Sequence, residues 1–174
     1  MLIFRDKIVL DKESGKMEEI VRILTLRNET ISTMESATGG FIANAITNVE
    51  GASEVFSFGA VTYSNFYKIK FGVDKNLIEK YSVYSMEVAR DMSRAITEYT
   101  NSRYGIGVTG KLNRVDRFNL SGKDNVVYIS IFDQKKNYYL DKALEVEDTT
   151  REENKKKILL EIVILLKKML SEER

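Results

Sequence analysis

Apolar residues recur at helical spacing in several stretches of the chain, and β-branched or alternating runs lie between them. Met17, Ile20, Val21 and Leu24 predict a helix over residues 17 to about 27. Phe41, Ile42, Ala45, Ile46 and Val49 share one face of a second helix, which Glu50-Gly51 ends. A third follows the candidate N-cap Ser85, with Val88, Ala89, Met92, Ala95, Ile96 and Tyr99 on one side, and a last helix runs from Thr150 toward Leu170. Asn65 and Asp74 read as N-caps of shorter helices, the first ending near Gly72. Strand character falls on Thr30 to Glu35, on Val55 to Tyr63, on Tyr104 to Val108 despite Gly105 and Gly107, and on Tyr138 to Val146. Val126 to Phe132 is almost continuously apolar, as in a strand buried on both faces, and residues 133–137 read as a hairpin loop after it.

Strands alternating with helices predict an α/β fold, a three-layer α/β/α sandwich whose sheet is mostly parallel but mixed because of the hairpin. At 174 residues one domain is expected, over 17–174, with 1–16 as an N-terminal extension whose residues 2–10 form a candidate edge strand. Between Ile158 and Leu170 apolar side chains wrap beyond a single stripe. One reading is a homo-oligomer built through this C-terminal helix; the other buries the helix inside its own domain beneath residues 1–16.

Charge narrows the possible partners. With 27 basic and 26 acidic side chains the formal net charge is +1, so no broad field draws in nucleic acid or an anionic membrane. Neither partner is expected. The N-terminus has no uninterrupted apolar segment of signal-peptide type, and Glu161 breaks the longest C-terminal apolar run, so a soluble, cytoplasmic protein is expected. Cysteine and histidine are both absent, which removes thiol nucleophiles, His-based triads and the usual zinc ligand sets. No metal and no cofactor is expected, and any catalysis falls to Ser, Thr, Lys, Tyr or carboxylates.

Within the segment Met34-Glu35-Ser36-Ala37-Thr38-Gly39-Gly40, a strand gives way through a glycine turn to a helix. Ser36 would sit at the mouth of a helix start whose first N–H groups lack intrahelical partners and can hold an oxyanion. The alternative is ordinary helix capping by Ser36 or Thr38. Downstream lies Val61-Thr62-Tyr63-Ser64-Asn65-Phe66-Tyr67-Lys68. A serine nucleophile needs a base, and a lysine in the first turn after Asn65 would have its pKa lowered by the helix dipole; the alternative is a solvated lysine and a core tyrosine.

These two motifs, with Gly72-Val73 after them, resemble the pattern E-S-x-T-G-G, V-T-Y-S-N-x-x-K, G-V of the C-terminal domain of competence-damage-inducible protein A (CinA), also found as a stand-alone nicotinamide mononucleotide deamidase. The similarity runs from about Met17 to about Lys168. The resemblance implies Ser36, Tyr63 and Lys68 as catalytic residues, with Thr38, Gly39, Gly40, Asn65, Thr109, Gly110 and Arg151 holding the oxyanion or the substrate. The substrate it implies is a small mononucleotide whose carboxamide is hydrolysed. The chain departs from the family after Thr109-Gly110, where Lys111-Leu112-Asn113-Arg114-Val115-Asp116 replaces a glycine-rich loop of the form G-I-A-G-P-G-G. Lys111 and Arg114 either take over phosphate binding or are solvated loop charges. Smaller departures are Ala37 for cysteine and Ser82 for glycine. A catalytically impaired member, kept as a nucleotide-binding or regulatory module, is the competing expectation.

Overall fold

The computed structural model describes residues 17–171. The candidate edge strand at residues 2–10 lies outside the described residues. Helix α1 occupies residues 17–27, and strand β1 follows at Ile31–Glu35. Next come α2 (Phe41–Thr47), a single 3-10 turn at Ala52–Glu54, and β2 (Gly59–Val61). Three helices succeed one another, α3 (Asn65–Lys70), α4 (Lys75–Tyr81) and α5 (Met86–Thr100). β3 (Tyr104–Gly110), β4 (Val126–Asp133), β5 (Tyr138–Glu145) and α6 (Arg151–Ser171) complete the chain.

The sheet has the order β2-β1-β3-β4-β5. β1 pairs in parallel with β2 and β3, whereas β4 is antiparallel to both β3 and β5. Four strands therefore run one way and β4 alone is reversed, because a hairpin can join only antiparallel neighbours. Helices cover both faces. On one, α1, α2 and α6 pack with Ile31, Tyr104, Ile106, Val108 and Ile129. On the other, α5 brings Val88, Met92 and Ile96 onto Met34 and Ala60.

Gly105 and Gly107 explain how closely α5 approaches. They alternate with the core residues of β3 and face the helix, where an added Cβ would collide with the Ser93 carbonyl at position 105 and the Ala89 carbonyl at position 107. Only glycine permits that contact between strand and helix backbones.

The expected strand over Val55 to Tyr63 contracts to Gly59–Val61. Val55 instead ends the 3-10 turn and stays buried in the core, so its β-branched character served packing rather than pairing. On α6, Ile158, Leu159, Ile162, Val163, Leu165 and Leu166 are all buried in the cluster they share with α1, α2 and the sheet. Ile164, 51% exposed, is the large apolar side chain of α6 left open. Most of the apolar wrap of α6 is thus covered by α1, α2 and the sheet.

Among the described residues no helix is long and apolar enough to cross a membrane.

Candidate active site

The chain leaves β1 for β2 on one side and returns for β3 on the other, so the carboxyl end of β1 lies where the strand order switches. In open α/β sheets ligands bind at such points. Ser36 stands immediately beyond this end, its N–H donating to the Val108 carbonyl at 2.9 Å. The turn that follows uses two left-handed glycines, Gly39 with φ 61° and Gly40 with φ 94°. A side chain at either position would strain the backbone.

α2 has no side-chain cap from Gly40, and its N-terminus is closed from the strand instead. Glu35, fully buried, accepts from the N–H groups of Gly40 at 3.0 Å, Ile42 at 3.1 Å and Ala43 at 2.8 Å. The Gly39 N–H donates to the Ser36 carbonyl at 3.2 Å. The expectation that Gly39 and Gly40 offer their amides to an oxyanion is therefore corrected, because both donors are already engaged. Ala37 and Thr38, next to the serine, have backbone N–H groups with no acceptor among the described residues. The buried Thr38 hydroxyl likewise lacks a partner among the described residues.

Lys68 lies in α3, whose N-cap is Ser64 rather than the expected Asn65: the Ser64 hydroxyl accepts from the Tyr67 N–H at 3.4 Å. From there Lys68 reaches back to donate to the Thr62 carbonyl at 2.7 Å and to Ser36 Oγ at 3.1 Å. The lysine is 1% exposed, and this burial lowers its pKa from 10.5 to about 8. The helix dipole is not the cause, since Lys68 stands toward the end of a six-residue helix. The result is a buried Ser–Lys pair whose lysine can hold its lone pair toward the serine hydroxyl once the pH passes about 8.

Ser36 and Lys68 open onto a cavity of about 600 Å³. Tyr63, Asn65, Gly110 and Arg151 line it too. Tyr63 is not placed as a proton relay between Ser36 and Lys68: it is 67% exposed, and its hydroxyl accepts from the Arg151 guanidinium at 3.4 Å. Arg151 makes no ion pair among the described residues, leaving its charge uncompensated at the mouth. Thr109 is behind the wall, fully buried, with its hydroxyl on the Val83 carbonyl at 2.9 Å.

The loop after Gly110 supplies a further part of the wall. Lys111 is buried there and bound to Asp124 at 2.8 Å, so it is not open to a phosphate without giving up its carboxylate, whereas Arg114 is exposed and faces Asp148 at 3.4 Å. Tyr84 donates its hydroxyl to Asp116, whose carboxylate also accepts from Asn119 Nδ2 and the Phe118 N–H, each at 2.9 Å. The Tyr84 hydroxyl bond first, then those from Asn119 and the backbone, lower the Asp116 pKa to about 2. Burial, followed by the Asp116 hydrogen bond and charge, raises that of Tyr84. Among the described residues no group of three or more acidic side chains is placed to hold a metal ion.

Glu35, Ser64, Tyr84 and Asp116 are the site residues that periodicity did not single out. A signal for Glu35 was present: a carboxylate five residues before a glycine-started helix that offers no Ser, Thr, Asp or Asn at its cap.

These observations define an α/β domain with a buried serine–lysine pair at the switch point of a mixed sheet. The profile of the CinA C-terminal domain family matches residues 13–170, and the chain belongs to that family. It is 43% identical over 109 residues to a protein of Clostridium botulinum (strain Langeland) named competence-damage inducible protein, a match covering 62% of this chain and 27% of that one. A protein of the same name from Alkaliphilus oremlandii is 47% identical over 104 residues, 59% of this chain and 25% of its own length. The matches thus span about a quarter of these relatives. A CinA superfamily protein from Klebsiella pneumoniae 700603 superposes with TM-score 0.83 at 17% identity, over 92% of this chain and 98% of its own. The competence/damage inducible protein CihA from Agrobacterium tumefaciens gives 0.74 at 23%, over 92% and 97%. At such identities these two structures speak for the fold alone.

Proposed function

We propose that the protein hydrolyses the carboxamide of nicotinamide mononucleotide to nicotinic acid mononucleotide and ammonia. The observation that carries this reading is the 3.1 Å contact between Lys68 Nζ and Ser36 Oγ in a chain with no histidine or cysteine. Neutral Lys68 takes the Ser36 hydroxyl proton while still donating to the Thr62 carbonyl, and Ser36 Oγ attacks the carboxamide carbon. The Ala37 and Thr38 N–H groups receive the oxyanion, each well-placed donor contributing about 3 kcal/mol to the barrier reduction. The Lys68 ammonium then gives its proton to the departing nitrogen, and ammonia leaves an acyl-serine. Water, deprotonated by Lys68, attacks the ester; the serine recovers its proton and the carboxylate is released. Arg151 with Tyr63 anchors the substrate phosphate, since a guanidinium offers paired donors to phosphate oxygens.

Ammonia release from nicotinamide mononucleotide by the purified protein, against Ser36→Ala, tests the reading. Equal release from both proteins, or none from the unaltered one, overturns it.

A second reading rests on the loop. Lys111 and Arg114 stand where the family's glycine-rich cradle would be and are both tied to carboxylates, which suits a member that binds a nucleotide without turning it over. Binding of the mononucleotide without ammonia release distinguishes it.

A further inference from the structure

Besides the Lys68 amine at Ser36, which is an ammonium below pH about 8, two full charges face this cavity without an ion-pair partner among the described residues. One is Arg151. The other is Asp116, whose three hydrogen-bond donors, the Tyr84 hydroxyl, the Asn119 amide and the Phe118 N–H, are all neutral. They fix the carboxylate at the wall without cancelling its charge. Arg151 and Asp116 both line the cavity, and both act electrostatically on the Tyr84 hydroxyl. Neighbouring charges are treated differently: Lys111 has Asp124, and Arg114 has Asp148.

We propose that Asp116 sorts ligands in this cavity by charge, favouring a substrate whose ring is cationic and driving off a product that has gained a carboxylate. The inference rests on the deamidation reading. In that reaction a neutral carboxamide and water become a carboxylate and ammonium, so the nucleotide leaves with one negative charge more than it brought. Its phosphate remains on Arg151 throughout. The added charge is then repelled by the Asp116 carboxylate that lines the same cavity, a force that salt can screen. A pyridinium ring is attracted by the same group. Asp116 belongs to the loop that departs from the family's glycine-rich pattern, so this selectivity is particular to the chain: backbone amides there would favour anions, and this carboxylate opposes them.

The test measures binding by calorimetry in Ser36→Ala protein, where turnover does not intervene, with and without Asp116→Asn. Three probes share the phosphate: nicotinamide mononucleotide, its reduced form with an uncharged ring, and nicotinic acid mononucleotide. With Asp116 present the first should bind tightest and the acid weakest. Asp116→Asn should tighten the acid by about tenfold and close the gap between the oxidised and reduced amides. If the substitution moves all three affinities alike, or none, Asp116 only shapes the loop and the proposal fails while the deamidation reading stands. If none of the three binds the protein carrying Asp116, both fail together. Should the variant not fold, salt serves instead: the ratio of amide to acid affinity must narrow between low salt and about 0.5 M, where charges several ångströms apart are screened. A ratio indifferent to salt overturns the proposal.

Discussion

Lys68 donates to Ser36 at 3.1 Å and to the Thr62 carbonyl at 2.7 Å, so one buried amine is held between the candidate nucleophile and the end of β2. Its pKa of about 8 sets the expected pH dependence of deamidation. The ammonium cannot accept the serine proton and the amine can, so kcat/KM should rise with pH and level off above about 8. Lys68→Met should lose at least a thousandfold in kcat, by the loss typical of a triad member. A profile that is flat from pH 6 to 10, measured by ammonia release across about four pH units, removes Lys68 from proton transfer.

The same lysine leaves a mark on stability. Its folded pKa, about 8, is below its ordinary value of 10.5. Below pH 8 it is charged in both states, and the folded protein bears the cost of burying the charge. Between the two values the unfolded chain holds a proton that the folded chain has released, so unfolding free energy should climb with pH, by on the order of 3 kcal/mol in total. Urea titrations at pH 7.5 and at about 10.5 should show that climb, and Lys68→Met should remove it.

Glu35→Ala should destabilise the protein by about 3 kcal/mol, because the Gly40, Ile42 and Ala43 N–H groups lose their shared acceptor. The midpoint of urea unfolding measures this. Activity should fall through kcat, since the turn that carries Ser36 loosens while Arg151 is untouched.

Tyr63→Phe separates two roles for one hydroxyl. Contact with Arg151, and with neither Ser36 nor Lys68, predicts a raised KM and a kcat lowered less than about tenfold. Arg151→Ala should raise KM by about tenfold or more with kcat nearly kept. A hundredfold loss of kcat in Tyr63→Phe, with KM unchanged, would restore that tyrosine to proton transfer.

Periodicity located α5, α6 and the β4–β5 hairpin because their apolar spacing and their burial report the same thing. Chemistry left Ser36 and Lys68 as candidates beside helix capping and a solvated lysine, and the family resemblance singled them out; the structure brings the two side chains to 3.1 Å. The capping of α2 was not, because Glu35 ends a strand and acts on a helix five to eight residues later, a relationship that neither period encodes. The span Val55 to Tyr63 misled for a different reason. Val55 is buried at the end of a 3-10 turn and Phe58 packs on Phe71, while only Gly59–Val61 pair with β1 and Val61 and Tyr63 stay exposed. The wall made by Tyr84 and Asp116 is a loop-to-loop contact across 32 residues, beyond any local pattern.

The clamp between Glu35 and α2 has a consequence for how this turn can be inherited. The groups that close the start of α2, the carboxylate, the two left-handed glycines and the three amides it gathers, all lie within residues 35–43, while the Ser36 N–H is held from outside by the Val108 carbonyl of β3. Grafted onto the end of another parallel strand, the segment should set a serine at the same angle wherever a neighbouring strand offers such a carbonyl. Broken into parts, it should not survive, because an aspartate at position 35 is a methylene short of those amides and a side chain at Gly40 would resist the left-handed bend.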